Sequence, residues 1–436
     1  MQNIISHFFE QSMLNFSSEF RIQLENAMEF IHKNQINDYN RIAFKTTNQH
    51  EAVLCFLLVE KKNLSPLFLE SNFPETLEKE ILKELDINTI VHGYKNLQPP
   101  LFNKENNEKF KIELPKYIIF QLSSASTGKP KIIVRTKANI QYEVNRYIRQ
   151  LGIQQTDVLM SSAPLYHSYA FGSCLSAAYY AGASIVLPKK ILPRNIIDDC
   201  NKHQVSILHG TPYFYKQMLS YKNEKQLPKS LKYCIASGSK MIEGLQDEFE
   251  QAFSIPLLQQ YGSTETGSLA VSNPGDDGRI VGKPLEGVKF IIETDNEEKD
   301  WVYISSPETI GCYIINNELK KIDGIRFKIG DLGKITNDGK LYISGRGDNL
   351  ISIAGKKISI PNLEKTILEN PKIKSVKIRL HENQKSLLCE YYSEQNISEE
   401  EIIAYCRDKL LDYEIPRFFK KLKDPIYKSW KKNDNE

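Results

Sequence analysis

Short runs rich in Val, Ile, Leu and Phe alternate with helix-period stretches along most of this chain, and that alternation restricts it to few folds. Helical patterns over 20–33, 50–62 and 74–85 are separated by Ile42-Ala43-Phe44 and Pro66-Leu67-Phe68-Leu69, and Thr89-Ile90-Val91 comes after them. Beyond a polar, proline-containing loop at Gln98–Asn107, strand-like runs Tyr117–Leu122 and Ile132–Arg135 lead into a helix pattern over Lys137–Leu151. Strands at Val158–Met160, Ser184–Leu187, Val205–Leu208, Leu231–Ala236 and Leu257–Gln260 then alternate with helices at Phe171–Tyr180, Asn195–His203, Pro212–Leu219 and Ile242–Phe253. This predicts an α/β fold with parallel sheets, in which ligands sit at the carboxyl ends of strands. From Gly278 to Ser344 short alternating runs punctuated by Gly, Pro, Asn and Asp predict an antiparallel, distorted β-barrel piece. The stretch beyond it carries strands at Ser375–Arg379 and Leu387–Tyr392 and an acid-rich helix at Ser398–Leu411, a small α+β domain. The expected partition is a large domain over 1–347 and a small mobile one over 348–436.

With 436 residues, the chain is long enough for more than one domain, and 41% hydrophobic with 25% charged residues is ordinary globular composition. A net charge of +3 gives no reason to expect nucleic acid as a partner. Basic residues do gather at Lys420–Lys423 and Lys428–Lys432, where a solvated tail is the plain interpretation. Cysteines at 55, 174, 200, 234, 312, 389 and 406 form no CxxC pair, which fits neither a disulfide framework nor a zinc site. The first residues show no secretory pattern, and Cys174–Leu187 is too short and too polar to span a bilayer. A cytoplasmic location without membrane insertion is the expectation.

The stretch Ser123-Ser124-Ala125-Ser126-Thr127-Gly128-Lys129-Pro130-Lys131 joins two strand-like runs with hydroxyls, one glycine and two lysines. It offers backbone N–H groups, hydroxyls and mobile positive charge to a polyphosphate, though turns use the same residues. A P-loop is excluded, because it wants glycine where Ser123 stands and Ser or Thr where Pro130 stands. Pro164-Leu165-Tyr166-His167-Ser168-Tyr169 sits between a strand and a helix pattern, and a His among aromatics is often just a packed side chain. Tyr261-Gly262-Ser263-Thr264-Glu265 comes directly after a strand, where a Glu offers a hard oxygen ligand to Mg²⁺, a Thr a hydroxyl to phosphate and a Tyr a flat face to a base. Ser237-Gly238-Ser239-Lys240 is a Gly-containing turn whose cation either meets a carboxylate or faces solvent. In Gly330-Asp331-Leu332-Gly333 the Asp suits vicinal ribose hydroxyls or an Asx turn. Gly345-Arg346-Gly347-Asp348 and the Gly355 to Glu364 stretch complete the series.

Together, in this order, these stretches resemble the motifs of the adenylate-forming superfamily, which includes acyl- and aryl-CoA synthetases and carrier-protein acid ligases. The resemblance implies that Ser123, Ser126, Thr127, Gly128, Lys129 and Lys131 hold ATP phosphates. It implies further that Ser239, Tyr261 and Gly262 border adenine, Asp331 and Arg346 bind ribose or phosphate, and Thr264 touches the α-phosphate while Glu265 holds Mg²⁺. Tyr166, His167, Tyr169, Lys240 and Gly267 become candidates for the acid side, Asp348 for a hinge and Gly355 for a hairpin passing the thiol. A catalytic lysine expected near the C-terminus falls on Lys431 by spacing from Pro425, with Lys428 and Lys432 as neighbours.

The implied activity is an ATP- and Mg²⁺-dependent ligation of a small carboxylic acid, aryl or short acyl, to coenzyme A or the phosphopantetheine of an acyl carrier protein. Departures from the family pattern are Ala125 and Ile132 in place of glycine, Trp430 in place of the glycine before the lysine, a short N-terminal region and a clipped final domain. They leave an alternative of another class, a degenerate homologue that binds nucleotide or acid without forming a thioester.

Overall fold

The computed structural model describes residues 18–36, 40–93, 96–98, 115, 117–123, 130–296, 298–315, 318–347, 350–353, 356–382 and 386–423. One compact unit holds most of the described residues up to 347, and a second holds residues 73–80, Pro130 and the described residues from 350 onward.

Two sheets organise the first unit. Four parallel strands, Ile118–Ser123, Ser65–Glu70, Arg41–Thr46 and Thr89–His92, form the middle of one. Lys131–Thr136, Cys312–Ile315 and Glu318–Lys321 extend it antiparallel on one side, and Asn96–Gln98 on the other. In the second sheet, Leu257–Ser263, Tyr233–Ala236, Ile207–Gly210, Val158–Ser161 and Ser184–Val186 run parallel. The antiparallel strands expected from the punctuated region are present and continue this sheet through Gly267–Val271, Ile280–Pro284, Leu341–Arg346, Phe327–Ile335, Asp300–Ser305 and Lys289–Thr294. The mixed α/β class results from both halves of the pattern.

Helices Gln49–Lys62, Lys137–Leu151 and the run 168–181 share one buried core with Phe44 and Ile119 of the first sheet and Leu159, Ile207, Ile235 and Leu258 of the second. They therefore fill the space between the sheets. Phe56 is the hub, with edge contacts to Phe171 at 5.6 Å and Tyr179 at 5.3 Å. A second core beneath helices Pro193–His203, Pro212–Met218 and Leu245–Phe253 covers the opposite face of the parallel strands.

The Lys137–Leu151 helix starts directly where the Lys131–Thr136 strand stops. Thr136 Oγ1 accepts from Asn139 N at 3.1 Å while Asn139 Oδ1 accepts from Thr136 N at 2.9 Å, a capping box that removes the need for a connecting loop. It ends at Gly152 in the left-handed region, φ +60°. The run 168–181 contains a π-helical segment, Phe171–Ser176, of the kind that gathers at functional sites.

The second unit contains a hairpin, Leu350–Ile353 with Lys356–Ser359, and a three-stranded sheet of Ser375–Leu380, Leu387–Tyr392 and Phe418–Lys421. Helices Ile360–Leu368 and Glu399–Arg407 pack on it around Ile358, Leu363, Ile378, Cys389 and Ile402. Among the described residues no helix is long and apolar enough to cross a membrane.

Phe56→Ala removes the hub of the inter-sheet core and is expected to lower stability by about 3–5 kcal/mol. Urea titration of the variant should show a lower midpoint, and a midpoint equal to the parent's would refute the central role of this ring.

Candidate functional site

Ser123 pairs with Lys131 in register, so the strands that flank residues 124–129 are antiparallel neighbours. Ser123 Oγ is buried and has no hydrogen-bond partner among the described residues. Residues 124–129, and with them the expected Ser126, Thr127, Gly128 and Lys129, lie outside the described residues, as do Asp348, Gly355 and Lys431.

The Tyr261–Glu265 stretch is itself a hairpin. The Leu257–Ser263 strand runs through Tyr261 and Gly262, turns at Thr264–Thr266, and returns as Gly267–Val271. Thr266 Oγ1 closes the turn by accepting from Ser263 N at 3.2 Å. Gly262 is required because a Cβ there would lie 2.2 Å from the Gly267 carbonyl oxygen. Thr264 and Glu265 are thereby held at the tip, half-buried.

Three of the sequence-derived groups meet around this tip. Thr264 Oγ1 lies 3.2 Å from Ser168 Oγ, the first residue of the helical run after His167. Tyr261 donates its hydroxyl to Asp331 Oδ2 at 2.6 Å, and Asp331 sits opposite Arg346 in the strand register. Glu265 Oε1 accepts from the Tyr313 hydroxyl at 3.5 Å, and the Lys131 ammonium stands 5.6 Å from the Tyr313 ring centre. Burial, and then the Glu265 charge, push the Tyr313 hydroxyl pKa upward, so it remains a donor.

Tyr166 and His167 form the next wall, their rings 4.8 Å apart. Glu70, at the end of the Ser65–Glu70 strand, places Oε1 3.4 Å from His167 Nε2. Burial and then Glu70 raise the Tyr166 hydroxyl pKa. Tyr169 turns inward and donates to the Ile235 carbonyl at 2.8 Å. The Ser237–Lys240 turn is tied to the site by Ser237 Oγ donating to the Gln260 carbonyl at 2.9 Å, with Ser239 half-buried and Lys240 exposed. Gly267, φ +66°, presents its α-carbon to the Glu143 carboxylate, where a Cβ would fall at 2.1 Å.

Sequence reasoning missed Glu70, Tyr313 and Glu143. Glu143 left a trace, since it shares a helical face with Ile140, Val144 and Tyr147 and is an acid in an apolar stripe. Glu70 and Tyr313 left none, because their partners are about a hundred and about fifty residues away in sequence.

Residues 37–344, well over half of the chain, match the AMP-binding enzyme family. The chain belongs to this family. Over 372 residues it is 24% identical to 2-succinylbenzoate–CoA ligase of Bacillus subtilis, covering 81% of the chain and 73% of that protein. Over 260 residues it is 27% identical to benzoate–CoA ligase of Thauera aromatica, covering 56% of the chain and 49% of that protein. Solved structures share the fold. The o-succinylbenzoate CoA synthetase of Bacillus subtilis superposes with TM-score 0.78 at 20% identity, covering 93% of this chain and 90% of its own. An amide bond synthetase of Marinactinospora thermotolerans gives TM-score 0.78 at 17% identity, covering 94% and 92%.

The donor set suits a magnesium ion shared with phosphates. Such an ion takes one or two carboxylates and completes its shell with phosphate and water. Glu265 supplies one carboxylate at the hairpin tip, and no group of three or more His, Cys, Asp or Glu able to hold a metal exists among the described residues.

Behind the site His209 is fully buried, its Nε2 3.0 Å from the Tyr147 hydroxyl. Burial lowers its pKa to about 3, so the folded protein holds it neutral. A depressed folded-state pKa means that stability is complete above the unfolded value of about 6.5 and is lost as pH falls below it, by on the order of a few kcal/mol. The melting temperature should therefore fall between pH 7 and pH 5, and His209→Gln should reduce the slope. Parallel pH profiles for parent and variant would refute a buried neutral His209.

Proposed function

We propose that the chain is an ATP- and Mg²⁺-dependent carboxylic acid ligase that forms an acyl or aryl adenylate and then a thioester. The observation that carries this is one hairpin that presents Thr264 and Glu265 at its tip and Tyr261 on its strand, the last bonded to Asp331 at 2.6 Å, within a family-matched chain.

A carboxylate is a poor electrophile because its leaving group would be oxide. Attack of a carboxylate oxygen on the α-phosphorus of ATP forms the acyl–phosphate bond, breaks the bond to the β-phosphate oxygen and releases pyrophosphate. A thiolate then attacks the acyl carbon and AMP leaves. Ser123, the 124–129 stretch and Lys131 cradle the β- and γ-phosphates. Tyr261 and Ser239 border the base, and Asp331 with Arg346 takes the ribose. Thr264 donates to the α-phosphate. Glu265 would hold magnesium, which would supply charge neutralisation to the phosphates. Lys431 meets the charge that develops during attack, in a lid over 348–436 that turns about Asp348 and brings the Gly355 hairpin in for the thiol.

Tyr166 and His167 border the acid, and Glu70 holds both from behind. An aryl or short acyl acid is favoured, as the names of the succinylbenzoate and benzoate ligases suggest. Coenzyme A is the leading acceptor, with a carrier-protein phosphopantetheine the other.

Incubation with ATP, Mg²⁺ and coenzyme A across aryl, medium-chain and long-chain acids should yield one thioester class by mass spectrometry. Adenylate without thioester from any acid would point instead to the carrier protein or to a degenerate homologue. Lys431→Ala should slow adenylation by roughly 10²–10³-fold with little change in ATP binding, the size typical of losing one charge-stabilising group. An unchanged rate would remove Lys431 from the mechanism.

A further inference from the structure

We propose that the buried Arg135–Glu143 ion pair is a positioning device for the Thr264–Glu265 hairpin tip, and so sets the geometry in which that tip meets nucleotide and magnesium. The role attributed to the tip rests on the adenylation reading.

The pair is sealed, with 1% and 2% of its side chains exposed and 2.7 Å between Arg135 Nη1 and Glu143 Oε2. Glu143 Oε1 accepts from Ser268 N at 2.8 Å and from Ser268 Oγ at 3.1 Å, at the residue after Gly267 where the hairpin returns. On the other side, Arg135 Nε and Nη2 donate to the Thr309 carbonyl at 3.3 and 3.1 Å. Two residues later Gly311 N donates to the Glu265 carbonyl at 2.9 Å, and Tyr313 reaches the Glu265 carboxylate. The contacts close a ring running from Glu143 through Ser268 and the hairpin tip to Glu265, then through Gly311 and Thr309 to Arg135 and back.

The carboxylate occupies a slot that other side chains have been kept out of. A Cβ on Gly267 would fall 2.1 Å from it and one on Gly172 would fall 2.7 Å from it. A hydrocarbon side chain would fill this space without the desolvation penalty of a buried charge. It would accept none of the three hydrogen bonds that Glu143 takes at once, and the hairpin would be located by packing alone. Arg146 supplies a second tether, donating to the Ser268 carbonyl at 2.8 Å, Ser306 Oγ at 3.0 Å and Thr309 Oγ1 at 3.2 Å. Loss of Glu143 charge therefore leaves the hairpin attached but free to shift.

The pair lies behind the site, so its effect passes through Glu265. Glu143→Gln keeps the shape and an acceptor for Ser268 while removing the charge opposite Arg135. Calorimetric titrations with MgATP and with magnesium-free AMP separate positioning from general loosening. MgATP affinity should fall about 10–100-fold, the range typical when the support behind a metal ligand is removed. AMP, which meets Thr264 through its phosphate but needs no magnesium at Glu265, should lose distinctly less affinity than MgATP, and the magnesium concentration giving half-maximal ATP binding should rise. Equal losses for the two ligands, or no loss in a folded variant, would overturn the proposal. If Glu143→Gln does not fold, Glu143→Asp keeps the charge and withdraws the carboxylate from Ser268 by one methylene. The same selective loss is then expected, and an unaltered magnesium dependence would overturn the proposal. These titrations need no turnover. A parent protein that binds MgATP but forms no adenylate would sink the adenylation reading while leaving the positioning test intact.

Discussion

A guanidinium and a carboxylate removed from water cost several kcal/mol each to desolvate, and the interior recovers this only when every donor and acceptor is matched. The Arg135–Glu143 pair is compensated by Ser268 on the carboxylate and by the Thr309 and Asn139 carbonyls on the guanidinium. Its place in the fold explains its reach. Arg135 belongs to the first-sheet strand that begins at Lys131, Glu143 to the inter-sheet helix, and Ser268 to the second sheet. One ion pair thus bonds the two sheets near the place where their functional loops emerge. Removing either partner leaves an unpaired buried charge, so the two positions are constrained as a unit.

The rest of the site is set by strand ends. The Ser65–Glu70 and Ile118–Ser123 strands run parallel and deliver Glu70 and Ser123 at their carboxyl termini. In the second sheet the Tyr233–Ala236 and Leu257–Ser263 strands deliver the Ser237 turn and the hairpin tip in the same way. The capped, loop-free entry of the Lys137–Leu151 helix fixes the rotation of Glu143 and Arg146 relative to the strand that carries Arg135. Local chain chemistry at Thr136 is in this sense part of the candidate site's geometry.

Much of this was legible in the sequence where the signal is local. Alternating apolar runs predicted the parallel strands, and the motif order led to the AMP-binding family. Boundaries moved where tertiary pairing extended an element: the strand expected to stop at Gln260 continues to Ser263, because Tyr261 to Ser263 pair with the returning strand. The destination of the antiparallel strands was not legible. Cys312–Ile315 joins the first sheet while Ile280–Pro284 joins the second, and nothing in either run encodes that choice. Glu70 and Tyr313 were missed for the same reason, since their roles exist only after the sheets assemble. Glu143 was readable as an acid in an apolar stripe, but its partners were not.

On the adenylation reading, the hairpin tip and its surroundings activate a carboxylate with ATP before any thiol is engaged. Isotope exchange between pyrophosphate and ATP, with magnesium and a panel of carboxylic acids but no thiol, tests this directly. Exchange that requires both magnesium and one class of acid is expected. Absence of exchange with every acid, in a folded protein that still binds ATP, would contradict it.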